Sequence, residues 1–147
     1  MIDRFADEAA RDGIEKLVAG AVVHRDGQVL ILRRSETDPF LPGIEELPSG
    51  GVEDGEDVLT ALARELAEEI GWDRPLRTDT GFVSSFDYTS GSGRRTRQYT
   101  FAVPYAGHEI RLSAEHTGYR WMGADGLATS DLTTETARTI RDWATAV

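Results

Sequence analysis

The chain has 147 residues, a formal net charge of −10, 39% hydrophobic residues and no cysteine. That length and apolar share suit one folded domain over residues 1–147 with a sizeable core. The charge excludes a general nucleic-acid binder, which needs a basic face, and the missing thiols exclude disulfides and thiolate metal sites and fit a reducing cytoplasm.

Residues 1–12 predict a short helix or a loose arm, with Ile2, Phe5 and Ala9 or Ala10 as its apolar side. The stretch is charged and lacks a signal-peptide core. No apolar run in the chain approaches about 18 residues, so no membrane span is expected. Packing of the arm on the domain, packing on a second subunit of a homodimer, and fraying all fit the pattern. From Glu15 to His24 an apolar run reads as a strand. Asp26-Gly27 is a hairpin signal, and Gln28 to Arg33 reads as the return strand. Arg33 and Arg34 close that run. They are either charges at a sheet edge, or one of them holds a phosphate bidentately. Residues 35–44 contain two prolines and a glycine and predict a loop. Phe40 in that loop either anchors it or stacks on a base.

Gly50 to Trp72, GGVEDGEDVLTALARELAEEIGW, is the most informative stretch. Glycines and an acidic turn lead into a helical pattern that stops at Gly71. Asp54 or Gly55 is positioned to cap the helix start. Leu59, Leu62, Leu66 and Ile70 recur at spacings of three and four and predict one apolar stripe. Glu65, Glu68 and Glu69 are helix neighbours on an adjacent face, where like charges repel. Alone they would be a solvated face of an acidic protein. A divalent cation with carboxylate, water and phosphate ligands is the alternative. The glycine loop ahead of the acids and Arg64 directly before them favour the second reading.

The stretch resembles the Nudix box, G-x(5)-E-x(7)-R-E-U-x-E-E-x-G-U, with U a bulky apolar residue. Gly50, Glu56, Arg64, Glu65, Leu66, Glu68, Glu69, Gly71 and Trp72 occupy its defined positions without a mismatch. The resemblance implies an α/β/α sandwich with a mixed sheet between helices. It also implies Mg²⁺ or Mn²⁺ held by Glu65, Glu68, Glu69 and a backbone carbonyl near Ser49–Gly50, with Arg64 orienting the glutamates and Glu56 supporting the loop. The preceding ELPSGG is similar to sequences of ADP-ribose and nucleoside-sugar pyrophosphatases in that family.

Beyond the box, Thr78 to Tyr88 and Arg97 to Tyr105 read as two strands joined by a Gly/Ser-rich tip. Arg94, Arg95 and Arg97 gather positive charge there, either as a solvated loop or as a contact to phosphate or a partner subunit. Tyr88 has a spacing similar to that of a tyrosine in diadenosine polyphosphate hydrolases. Leu112 to Met122 resembles the family's late segment, where a glutamate loop precedes a strand. That likeness implies metal binding or a general-base role for Glu115, against a plain surface acid. His116 beside it reads as a surface histidine. Asp125 follows in a turn and is a candidate for base recognition. Leu132 to Val147 predicts a closing helix with Leu132, Thr136, Ile140 and Trp143 on one side.

The expected activity is metal-assisted hydrolysis of a phosphoanhydride, with Glu65 or Glu115 taking a proton from the attacking water. A nucleoside triphosphate giving a monophosphate and pyrophosphate is the expected substrate. The alternatives are ADP-ribose or a nucleoside-diphosphate sugar, then a diadenosine polyphosphate, then a non-catalytic nucleotide sensor.

Overall fold

The computed structural model describes residues 4–39 and 41–146. Ile2 and Phe40 therefore lie outside the described residues. In chain order the elements are α1 (Arg4–Arg11), β1 (Lys16–Arg25), β2 (Gln28–Arg34), β3 (Glu45–Glu46), β4 (Ser49–Gly51), α2 (Val58–Ile70), β5 (Val83–Thr89), β6 (Arg95–Pro104), β7 (His116–Gly123), a 3₁₀ turn (Ala124–Thr129) and α3 (Thr134–Ala146).

The strands form one mixed sheet. β1 runs parallel to β6 along nine residue pairs, from Lys16↔Thr96 to His24↔Pro104. β5 is antiparallel to β6, and β7 is antiparallel to β2. The β1–β2 hairpin turns at Asp26 (φ 49°) and Gly27 (φ 77°), the left-handed pair that a two-residue turn matching strand twist requires. β1 and β2 stay paired only at His24↔Val29 and Arg25↔Gln28, and then separate. β4 takes over the freed edge of β1 at Val18 to Gly20. β3 takes over the freed edge of β2 at Leu32 and Arg33. The sheet is thus split by a wedge, and the Glu45–Gly51 segment lines both of its walls.

Alternation along the strands makes two cores. Ala19, Ala21, Val23, Leu30 and Leu32 face α2, meeting Val58, Ala61, Leu62, Leu66 and Ile70. Val22, Val29 and Ile31 face α3, meeting Ile140 and Trp143. The result is the expected α/β/α sandwich. Leu59 departs from the predicted stripe and is 42% exposed. Val58 and Ala61 take its place, because the buried face is turned by one position. Neither Asp54 nor Gly55 caps α2. Asp57 does, its carboxylate accepting from Thr60 N–H at 2.7 Å. Gly71 (φ 72°) ends the helix, with the Gly71 and Trp72 N–H groups donating to Ala67 and Leu66 carbonyls. The fifth strand starts at Val83 rather than Thr78, because a turn at Thr80–Gly81 (φ 88° at Gly81) precedes it.

The loop arginines make intramolecular contacts, Arg97 in a buried position and Arg94 and Arg95 in exposed ones. Arg97 is buried and donates to both Asp87 carboxylate oxygens at 2.6 and 3.0 Å, and to Asp12 at 2.8 Å. Arg94 donates to the Glu15 carbonyl and Arg95 to the Gly13 carbonyl. Phe5 packs on Tyr99 and Phe101 with ring centroids 4.7 and 5.5 Å apart. The N-terminal arm is therefore docked along β6. Arg97→Met removes the charged hub of that contact and is expected to cost about 2 kcal/mol. Amide exchange should rise in residues 4–11 more than in α2. Unchanged exchange in that segment would show that the aromatic contacts alone hold α1.

Candidate active site

The wedge in the sheet opens into a cleft of about 380 Å³. β1 supplies Lys16 and Val18, β2 supplies Arg34, and the β3–β4 segment supplies Glu46 and Ser49–Gly51. Glu69 enters from α2, Glu115 from the turn before β7, and Tyr88 from β5. Residues distant in sequence converge here because the two halves of the sheet part at this level.

Glu69 is the most constrained of these groups. It is 4% exposed, and one carboxylate oxygen accepts from Ser49 N–H at 2.9 Å. Burial raises its pKa to about 9, and repulsion from Glu46, Glu65 and Glu115 adds to the effect. Burial also raises the pKa of Glu65, against the lowering effect of Arg64. Carboxylates held this close without a cation keep protons that they would otherwise lose.

Arg64 organises the rest. It donates to both oxygens of Glu56 at 2.8 and 2.9 Å, to the Gly51 carbonyl at 2.9 Å and to Glu65 at 2.8 Å. The guanidinium thereby ties the glycine loop to the helix, a task suited to its fork of donors. Its hydrogen bonds hold the Glu56 carboxyl down at about 2. Gly50 has a steric reason to be glycine. A Cβ there would lie 1.9 Å from the Glu65 carboxylate carbon.

The structure separates some of the sequence candidates. Arg33 and Arg34 point opposite ways. Arg33 donates to the Gly43 carbonyl and to Asp131, away from the cleft. Arg34 lines the cleft, paired with Glu46 at 2.9 Å and Asp38 at 2.6 Å. Glu68 is 57% exposed at its side chain, 3.5 Å from Arg64, and does not line the cleft. Asp125 is folded against Gly123 in the 3₁₀ turn and lines neither the cleft nor the chamber beside it.

Other residues were missed in the sequence. His116 is buried rather than exposed, with Nε2 2.7 Å from Glu46 and Nδ1 without a partner. Glu69, Glu115 and His116 place one donor atom each within 4.8 Å of one another, a set able to hold a metal ion. Lys16 adds a cation from the start of β1. Alternation in β3 was the available signal for Glu46. It turns Glu45 to Arg120 and Glu46 to the cleft.

A second chamber of about 510 Å³ adjoins the cleft across Arg34, Glu46, Ser49 and Tyr88. Leu41, Ile44, Phe86 and Tyr88 make it more apolar, and the start of α3 borders it.

The NUDIX domain model matches residues 15–143. The nucleoside triphosphatase NudI of Escherichia coli O17:K52:H18 (strain UMN026 / ExPEC) is 30% identical over 134 residues, which cover 86% of this chain and 95% of that protein. The MutT protein of Methanosarcina mazei Go1 superposes with a TM-score of 0.76 at 23% identity, over 87% of this chain and 91% of that one. A C. elegans Ap4A hydrolase superposes with a TM-score of 0.78 at 21% identity, over 89% and 96%. The chain belongs to the Nudix family. It is a hydrolase of phosphoanhydrides, and its clustered carboxylates fit the divalent ions that the family generally uses.

Two outcomes follow from this geometry. The folded protein holds a proton on Glu69 that the unfolded chain releases near 4.5. Between that pH and about 9 the native state binds more protons, so metal-free stability should fall as pH rises. Glu69→Gln should flatten that slope and raise the metal-free melting temperature at pH 8 by about 3 °C or more. A slope equal to that of the parent would mean that Glu69 is ionised in the native state. Separately, Gly50→Ala should displace Glu65 and lower hydrolysis by about 10- to 100-fold, with far-UV circular dichroism unchanged. Full activity would show that the loop yields without moving Glu65.

Proposed function

We propose that this chain is a metal-dependent nucleoside triphosphate pyrophosphohydrolase, releasing a nucleoside monophosphate and pyrophosphate. The observation that carries the reading is the pairing of a carboxylate-lined cleft with an adjoining apolar chamber. With a divalent ion offsetting its carboxylates, the cleft would suit a phosphate chain, and the chamber would suit the nucleoside end. The likeness to nucleoside triphosphatase NudI over most of both chains supports the same substrate class.

The metal would be Mg²⁺ or Mn²⁺, held by Glu69 with Glu65, the exposed Glu68 and the Gly50 carbonyl, and with Glu115 and His116 also within reach of Glu69. When bound, it offsets the carboxylate repulsion and supplies a Lewis acid for the phosphoryl oxygens. Arg64 acts through Glu65 and not on the substrate, because its donors are already committed. Arg34 and Lys16 face the cleft and contribute positive charge toward the phosphates. Glu65 and Glu115 are the two carboxylates available to take a proton from water. Glu65 is held by Arg64, whereas Glu115 is exposed and close to Glu69.

The test is a hydrolysis panel with Mg²⁺ and Mn²⁺. It contains nucleoside triphosphates, ADP-ribose, nucleotide sugars and diadenosine polyphosphates. Triphosphates should be turned over best, to monophosphate and pyrophosphate, and Glu69→Gln should lower the rate at least about 100-fold. Preference for ADP-ribose or a nucleotide sugar would replace the substrate class. Full activity of Glu69→Gln would overturn the metal-site assignment.

A further inference from the structure

Among the polar groups lining the chamber beside the cleft, the Gln98 amide is held by its donor and leaves its acceptor unengaged. Gln98 on β6 is 8% exposed and lines the chamber. Its Nε2 donates to Thr100 Oγ1 at 3.1 Å. Its Oε1 has no intramolecular hydrogen-bond partner and is not sealed from solvent. A ligand donor reaching that oxygen would replace a solvent hydrogen bond with a directed one.

The backbone beneath prepares this position. Gly20 on β1 leaves bare the surface over which the amide lies. A Cβ there would come within 2.5 Å of Gln98 Nε2. Phe86 is the direct cross-strand partner of Gln98, and its ring lies 5.8 Å from that of Tyr88 at an angle of 38°. Of the other polar groups lining it, Thr89, Thr134 and Glu135 are more exposed than Gln98, and two are committed elsewhere. Thr133 Oγ1 bonds Thr136, and Glu46 bonds Arg34 and His116. Arg34, on the wall shared with the cleft, is the sole Lys or Arg among the described lining residues. The chamber is therefore unsuited to a second phosphate group. Aromatic rings with one fixed acceptor suit a flat heterocycle that carries an N–H.

We infer that Gln98 is a specificity-determining residue that reads the edge of the nucleobase, accepting through Oε1 from an exocyclic amine or ring N–H while Thr100 fixes the amide's orientation. This rests on the nucleotide reading above. Gly20 acts as a positioning residue, and Phe86 and Tyr88 supply the stacking surface.

The experiment is steady-state hydrolysis of triphosphates of the four bases, in metal-saturating buffer, by the full-length chain. For the preferred base, an analogue with the donor removed is added: a purine without its exocyclic amine, an N3-methylated uracil or thymine, or a cytosine analogue without its 4-amino group. The wild-type chain should discriminate among bases chiefly through KM. The analogue should raise KM about tenfold or more. Gln98→Met should raise KM for the parent nucleotide by a similar factor, more than it lowers kcat, and should bring parent and analogue within about twofold. Thr100→Val is nearly isosteric and should weaken discrimination while leaving the amide in place, so the inference does not depend on Gln98→Met folding. Nucleotide turnover with no base preference, or an analogue penalty that persists in Gln98→Met, would overturn the assignment to Gln98 alone. Absence of nucleotide turnover by the wild-type chain would overturn the nucleotide reading and this inference with it.

Discussion

The buried carboxylate of Glu69 is the constraint around which this structure is arranged. An acid placed between a helix and the floor of a split sheet must be neutral, bonded or paired with a cation. Here it accepts one backbone hydrogen bond, from Ser49, and faces three other glutamates. The fold tolerates that arrangement because Arg64 fixes the neighbouring loop and draws Glu65 to one side. The fit of the cluster to a divalent ion and a weak point in metal-free stability both trace to the same burial.

The split sheet explains why the site is where it is. Had β1 and β2 paired along their full length, the Glu45–Gly51 segment would have had no edge to join. Glu46 and Gly50 would then not face Glu69 across a gap. Separation after two residue pairs leaves polar backbone edges, and β3 and β4 satisfy them. The same opening continues into the apolar chamber, so the cleft and the chamber share a wall. Arg34 and Tyr88 belong to both compartments.

The local elements were legible in the sequence for definite reasons. Asp26-Gly27 demands left-handed backbone, and the structure has it. Gly71 ends α2 as its position suggested. The acids of the helix and Arg64 were visible through their spacing. Leu59 was misassigned because period alone leaves the centre of an apolar face uncertain by one residue, and Val58 and Ala61 are small enough to pack closer to the sheet. The intramolecular partners of the β5–β6 arginines, Asp12, Gly13 and Glu15, could not be read locally because they are far away in sequence.

The sequence by itself determined the glutamates of the α2 helix and, through their motif, the family and the layering that the resemblance implied, because a motif of 23 residues is local. Only the tertiary structure decided that Arg34 and not Arg33 faces the cleft, that His116 is buried against Glu46, and that Gln98 opens onto a chamber. Each of these depends on which strands meet and where they part. That is a property of long-range pairing, to which a residue's immediate neighbours in the chain are blind.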